Sequence, residues 1–161
     1  MTVTEYNLAV DAWADALYRF ALKNLGVVPS AQDVVQDCFE KLWIHRAQVD
    51  PVKVKSWLFT SAYHRMIDGK RKLRNESLPG SQKLPEETHE KGYSDLRELL
   101  DQAVDRLPEV QKSVLLLRDY EGYSYQEIGE ITGLSEAQVK VYIFRSRVSL
   151  RNYIGAIDAV L

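Results

Sequence analysis

The sequence has little of what disulfide-bonded or metal-binding proteins need. It contains one cysteine, Cys38, so an internal disulfide is excluded and no second thiol can complete a zinc knuckle. We expect Cys38 to be a small buried apolar residue. The three histidines, His45, His64 and His89, share no short motif with one another or with an acidic pair. No metal site and no cofactor are therefore expected.

Long apolar runs and catalytic signatures are missing as well. No run of about eighteen apolar residues occurs, and the N-terminus lacks the charged-then-apolar order of a signal peptide. We therefore expect a soluble, cytoplasmic protein without membrane insertion. No Gly-rich phosphate loop, nucleophile and base pair or metal-ligand spacing is present, so an enzyme is not expected.

What the sequence does have is the composition of a folded protein with localised basic charge. Its 161 residues are 45% hydrophobic, which suffices for one ordinary domain or two small helical ones. The net charge of −2 argues against general attraction to nucleic acid. Basic residues instead gather in 70–74 and 140–151. This distribution favours DNA contact at two separate places.

Composition also divides the chain. Residues 75–93 hold two prolines, two glycines and almost no apolar periodicity, which predicts a flexible linker with the acidic cluster Glu86, Glu87 and Glu90. Everything else has helical periodicity. We predict an all-α protein of two small helical domains, residues 1–74 and 94–161.

Three helices are predicted before the linker. The first covers about 5–25, with an apolar stripe through Leu8, Ala12, Ala16 and Phe20, and it stops at Gly26. The second is predicted to start at a Ser30 cap, and the third at Asp50, followed by a proline suited to a first helical turn.

Four helices are predicted after the linker, and the last two have the form of a helix-turn-helix. Ser124 and Glu127 can form a capping box, Gly133 lies in the turn, and Ser135 and Gln138 repeat the capping device. An ordinary helical hairpin with surface lysines is the alternative.

The last helix has two distinct faces. Val139, Ile143, Ser146 and Leu150 share one face and are predicted to pack inward. The opposite face is unusually apolar at its centre, with Ala137, Val141, Phe144 and Val148. These residues either contact thymine methyl groups or are covered by a protein partner.

Three segments in order resemble the sigma factors of the extracytoplasmic-function group, which belong to the sigma-70 superfamily of bacterial RNA polymerase. SAQDVVQDCFEKLW (30–43) resembles their polymerase-binding helix, and WLFTSAYHRMIDGKRK (57–72) is similar to their promoter-melting helix. LPEVQKSVLLLRDYEGYSYQEIGEITGLSEAQVKVYIFRSRVSLR (107–151) looks like their second DNA-binding domain. The three segments cover roughly two thirds of the chain.

The resemblance implies a fold and three sets of contacts. It implies a region-2-like bundle of three or four helices that binds core polymerase and melts the minus-ten element, and a region-4-like helix-turn-helix domain for the minus-thirty-five element. The implied polymerase contacts are Asp33, Gln36, Asp37, Phe39, Glu40 and Leu42. The implied minus-ten contacts are Trp57, Tyr63, His64, Arg65, Lys70, Arg71, Lys72 and Arg74, although Trp57 suits a core equally well. The minus-thirty-five contacts are Ser135, Glu136, Gln138, Lys140 and Val141, with Arg145 and Arg147 nearer phosphates.

The implied partners are core RNA polymerase, through the clamp helices of its largest subunit and the flap of the second-largest, together with promoter DNA and an anti-sigma protein. The chain departs from the family pattern at two places. Tyr63-His64 stands where many relatives carry Arg-Asn, and Lys140-Val141-Tyr142 stands where they often carry Lys-Ser-Arg. The preferred promoter bases therefore cannot be carried over. The alternative function is a stand-alone helix-turn-helix regulator that does not depend on binding core polymerase.

Overall fold

A computed structural model describes residues 1–76 and 95–160, with the side chains of 70–76, 95 and 157–160 outside the description. Its helices are α1 (Val3–Leu25), α2 (Val28–Ile44), α3 (Val54–Glu76), α4 (Asp95–Asp105), α5 (Glu109–Asp119), α6 (Tyr125–Thr132) and α7 (Glu136–Val160). A short 3-10 turn, Pro51–Lys53, precedes α3. No strand occurs in these described ranges, so the all-α prediction is confirmed.

The helices form two packed groups. Helices α1, α2 and α3 pack against one another and make the first domain, while α5, α6 and α7 pack together, with α4 against α7, as the second domain. The two domains are also in contact, α1 with α5 and α3 with α6. The predicted linker, 75–93, lies outside the described residues except for its first two, which belong to α3.

The local signals at the helix ends explain where α1 and α2 are divided. Thr2 and Glu5 form a capping box at the start of α1, and Gly26 ends the helix in the left-handed conformation with φ 74°. Helix α2 then begins two residues before the predicted cap. Val27 is its N-cap and Pro29 occupies the first turn, so the Ser30 prediction was wrong: the fixed φ of proline suits an earlier start.

The inward face of α1 also differs from the predicted stripe. Leu8 is 61% exposed, whereas Ala9, Leu17, Phe20 and Ala21 are buried. The predicted stripe used a constant spacing of four residues, and over five turns that spacing drifts away from the 3.6-residue period. The large Phe20 fixes the register, so the N-terminal part of the true stripe lies one residue later.

Two glycines make the turn between α6 and α7 possible. Gly133 ends α6 with φ 79°, a left-handed conformation in which glycine carries no steric cost. Gly129 lies beneath the returning chain, and a Cβ atom there would be only 2.8 Å from the carbonyl oxygen of Leu134. The reversal that positions α7 therefore depends on both residues.

Candidate nucleic-acid interface

The first candidate surface is the outer face of α2. Asp33, Gln36 and Glu40 are exposed and lie three to four residues apart, and the Gln36 amide donates a hydrogen bond to Glu40 at 3.2 Å. Phe39 and Leu42, predicted to share this surface, are buried, Leu42 completely. Their side chains anchor α2 in the core, so the contact surface that α2 offers is polar and acidic.

Asp37 lies between α2 and α3 rather than on the outer face alone. Its Oδ2 atom is buried and lies 3.1 Å from Arg65 Nε and 3.2 Å from Lys41 Nζ. Arg65 was predicted to contact the DNA strand, yet here its guanidinium is paired with a carboxylate from α2. This ion cluster joins the candidate polymerase-binding helix to the candidate minus-ten helix, and the sequence alone gave no sign of the pairing.

The second candidate surface is on α3. His64 is exposed, with the ring of Tyr63 edge-on at 5.4 Å between ring centroids, but Tyr63 itself is buried. Trp57 is half-buried and packs against the core, which accommodates both of the predicted roles. His64 borders a polar cleft lined by Lys41, Ser61, Arg65, Asp68 and Gly69. The side chains of Lys70, Arg71, Lys72 and Arg74 lie outside the described residues.

The buried cysteine lies beside this region. Cys38 is fully buried, as predicted, and burial is the main reason why the pKa of its thiol is raised. A hydrogen bond with Ser61 lowers that pKa and partly offsets the effect of burial. The thiol thus packs between α2 and α3 as a neutral group.

The third candidate surface is the N-terminal half of α7. Ser135 and Gln138 form the predicted capping box: the Ser135 hydroxyl accepts from the Gln138 amide at 3.1 Å, and the Gln138 side chain accepts from the Ser135 amide at 2.9 Å. Val139, Ile143 and Ser146 are buried against the domain. The inward face predicted for α7 is therefore confirmed.

The outward face of α7 combines polar, basic and apolar groups. Glu136, Gln138, Lys140 and Arg145 are exposed, as is Val141 at 44% and Phe144 at 70%. The Lys140 ammonium lies 3.7 Å from Glu136 and 5.7 Å from the ring centroid of Tyr125 in α6. Arg147 pairs with Asp119 at 2.9 Å. An exposed, capped helix with cations along its edge is suited to a DNA groove.

Comparisons with known proteins decide the family. Models described as Sigma-70 region 2 and Sigma-70, region 4 match residues 9–76 and 97–150. The ECF RNA polymerase sigma factor SigM of Bacillus subtilis is 31% identical over 140 residues, covering 84% of this chain and 86% of SigM. The chain belongs to the extracytoplasmic-function sigma factors.

Two further relatives give the same result for this sigma factor. SigL of Mycobacterium tuberculosis, strain H37Rv, is 30% identical over 140 residues, covering 81% of this chain and 77% of SigL. SigE of Mycolicibacterium smegmatis is 32% identical over 150 residues, and the match covers 88% of this chain but only 58% of SigE.

Solved structures share the fold. The sigma factor RpoE from Bartonella quintana, in complex with the anti-sigma factor NepR, superposes with a TM-score of 0.77 at 23% identity, covering 95% of this chain and 98% of that one. CnrH, in complex with the cytosolic domain of CnrY, superposes with a TM-score of 0.69 at 21% identity, covering 94% and 88%. In the described part of this chain, no helix is long and apolar enough to cross a membrane.

Proposed function

We propose that this chain carries core RNA polymerase to particular promoters and helps open the DNA there. Residues 1–74 bind the clamp helices of the largest polymerase subunit and melt the minus-ten element. Residues 94–161 grip the minus-thirty-five element beside the flap of the second-largest subunit. The protein works in the cytoplasm, where the polymerase is, and the polymerase supplies the catalysis.

One observation carries this proposal: a polar, acidic helix face and an exposed recognition helix occur in one chain. The face formed by Asp33, Gln36 and Glu40 is exposed on α2, which suits docking against a helical partner of complementary charge. A regulator that acts alone requires the second feature but not the first. The order of the matched sigma-70 regions supports the same role.

The recognition helix α7 supports direct reading of bases at its N-terminal turns. Gln138 and Lys140 can bond to base edges in the major groove, and the exposed Val141 can contact a thymine methyl group. Arg145 and Arg147 lie farther along the helix, where phosphates are in reach once Arg147 releases Asp119. The valine makes this chain's minus-thirty-five preference different from that of relatives with serine there.

On α3, burial narrows the set of groups that can hold the opened strand. His64 is exposed and can stack on or bond to an unpaired base, whereas Tyr63 supports the His64 ring from below. Arg65 positions Asp37 and Lys41 in the cleft beside it. The basic residues from Lys70 to Arg74 follow in the same helix and are proposed to bind the backbone phosphates.

An anti-sigma protein is proposed as the regulator. Both superposable sigma factors were solved as complexes, RpoE with NepR and CnrH with CnrY. The apolar outward face around Phe144 is available for such a partner when DNA is absent. Phe144→Asp is then expected to weaken that complex without changing the fold, and an unchanged affinity would remove this face from the interface.

Run-off transcription with purified core polymerase tests the proposed function. Lys140→Ala is expected to weaken use of the minus-thirty-five element several-fold and to lower the salt dependence of promoter binding by about one ion, because one phosphate-proximal cation is lost. Binding to core polymerase should stay unchanged. Glu40→Ala is expected to weaken core binding while leaving the affinity of the second domain for DNA intact.

Glu40 is a sharper probe than Asp37, because Asp37→Ala would also release Arg65 and disturb both surfaces at once. Lys53→Ala, on the exposed turn before α3, serves as the matched charge control. If the purified protein does not associate with core polymerase at moderate salt while still binding DNA, the stand-alone regulator is the correct function.

A further inference from the structure

We propose that the free protein closes on itself through a direct contact between its two domains, and that this contact must open before both promoter elements can be bound. The functional consequence rests on the function proposed above, whereas the closed state itself does not. The contact joins α1 to α5 and α3 to α6. Three groups of residues form it.

The first group is an ion pair between the domains. Arg19 in α1 donates from Nε and Nη2 to the two carboxylate oxygens of Glu121, each at 3.1 Å. The Glu121 side chain is only 4% exposed, although its partner is 46% exposed. A nearly buried carboxylate held by two parallel bonds depends strongly on its arginine, because without it an unpaired charge would stay buried.

The second group is a buried polar cluster at the end of α1. The Ser113 hydroxyl lies 2.7 Å from Asn24 Oδ1, and the Lys112 ammonium donates to the Asn24 carbonyl at 3.2 Å and to Asp105 at 2.9 Å. Asn24, Lys112 and Ser113 are all buried. Polar residues at a contact between domains are readily hydrated when the domains separate, unlike the apolar residues of a permanent core.

The third group is aromatic. Tyr123, at the start of the helix-turn-helix, lies edge-on to Phe59 of α3 with ring centroids 5.5 Å apart, and the Lys55 ammonium lies 4.6 Å from its ring centroid. The Tyr123 hydroxyl is buried, and within the described residues nothing accepts or donates a hydrogen bond to it. Such an unpaired hydroxyl weakens the closed state relative to an open one in which water reaches it.

Geometry shows why the closed state cannot use both DNA surfaces. Elements named for positions minus ten and minus thirty-five are separated by about 25 base pairs, or roughly 85 Å of duplex at 3.4 Å per base pair. A compact chain of this length has a radius of gyration of about 15 Å, which corresponds to roughly 40 Å across. The residues between the domains, 77–94, can extend to about 60 Å. Separation of the domains is therefore required and sterically allowed.

Energy transfer between two dyes measures the closed state in the full-length protein. Thr4→Cys and Asn152→Cys place labels on exposed positions of α1 and α7, while the native Cys38 thiol is buried and protected. High transfer is expected in the free protein, falling when core polymerase and promoter DNA are added. Low transfer in the free protein would overturn the proposal.

Arg19→Ala should shift the equilibrium toward the open state by about tenfold or more, because it leaves Glu121 unpaired in the closed state. Lys53→Ala should leave transfer unchanged, and Arg19→Glu combined with Glu121→Arg should restore part of the closure lost in Arg19→Glu. Equal transfer in Arg19→Ala and Lys53→Ala would show that this contact does not hold the domains together.

Tyr123→Phe should act in the opposite direction. It removes the unpaired hydroxyl and keeps the ring against Phe59, so it should favour the closed state by about fivefold or more. It should also raise the concentration of protein needed for half-maximal run-off transcription, whereas Arg19→Ala should lower it. If transfer follows these expectations but no variant supports transcription, the closed state stands and the proposed function fails. If all variants transcribe alike with unchanged transfer, the closed state fails alone.

Discussion

The two candidate DNA-binding helices are built in opposite ways. Helix α3 lies between the rest of the first domain and α6, and it buries Leu58, Phe59, Ala62, Tyr63, Met66 and Ile67 over its described part. Helix α7 buries only Val139, Ile143 and Ser146 in its described part and leaves its N-terminal turns exposed. The first helix is largely a scaffold with a narrow accessible edge, and the second is a reading surface with a narrow inward stripe.

This difference extends to the charges. On α3, Arg65 is paired with Asp37, and Lys55 lies over the rings of Trp13 and Tyr123. On α7, Lys140 has only an exposed neighbour one helical turn away, a contact of small energy that DNA can replace. Cations near the start of α3 therefore stabilise the protein, whereas those of α7 remain available for ligands.

The largest expected effect distinguishes the two helices by one matched pair of substitutions. Phe59 is fully buried between the rings of Phe20 and Tyr123, so Phe59→Ala should lower the free energy of unfolding by about 3–5 kcal/mol. Phe144→Ala, on the exposed face of α7, should change it by less than about 0.5 kcal/mol. Urea denaturation of both variants checks this, and similar losses would remove the contrast between scaffold and reading surface.

An intermediate effect is expected at the turn that orients α7. Gly129→Ala would place a methyl group 2.8 Å from the Leu134 carbonyl oxygen, a backbone atom that cannot swing aside, so it should cost about 1–3 kcal/mol. Gly155→Ala, in α7 with no atom within 4 Å of the new Cβ, should stabilise by about 0.4–1 kcal/mol. Thermal unfolding gives the two signs. Equal signs would mean that the turn relaxes freely and does not fix α7.

The same contrast explains what could be predicted from the sequence. The capping boxes, the Gly133 turn and the two faces of α7 follow from residues within a few positions of each other, and the structure has all of them. The burial of Tyr63 and the capture of Arg65 depend on neighbours in other helices, which periodicity does not reveal. In α1 a four-residue spacing that seemed continuous lost its register within five turns.

The contact between the domains was beyond prediction for a related reason. Arg19 and Glu121 are 102 residues apart, and each looks like an ordinary surface charge in its own helix or turn. Asn24 and Ser113 are equally unremarkable in sequence, since a buried polar residue and an exposed one have the same letter. Only their juxtaposition turns them into partners.

The smallest expected effect tests whether the start of α7 is fixed locally, as its predictability from sequence suggests. Ser135→Ala removes the hydroxyl that accepts the Gln138 amide and should cost about 1 kcal/mol of folding free energy. Ser149→Ala, exposed within the same helix, should be neutral or slightly stabilising, because alanine has the higher helix propensity. Denaturation gives both values, and hydrogen exchange should locate the Ser135 effect in the first turn. Faster exchange along the whole of α7 would instead mean that the domain, and not the cap, holds the reading end of the helix.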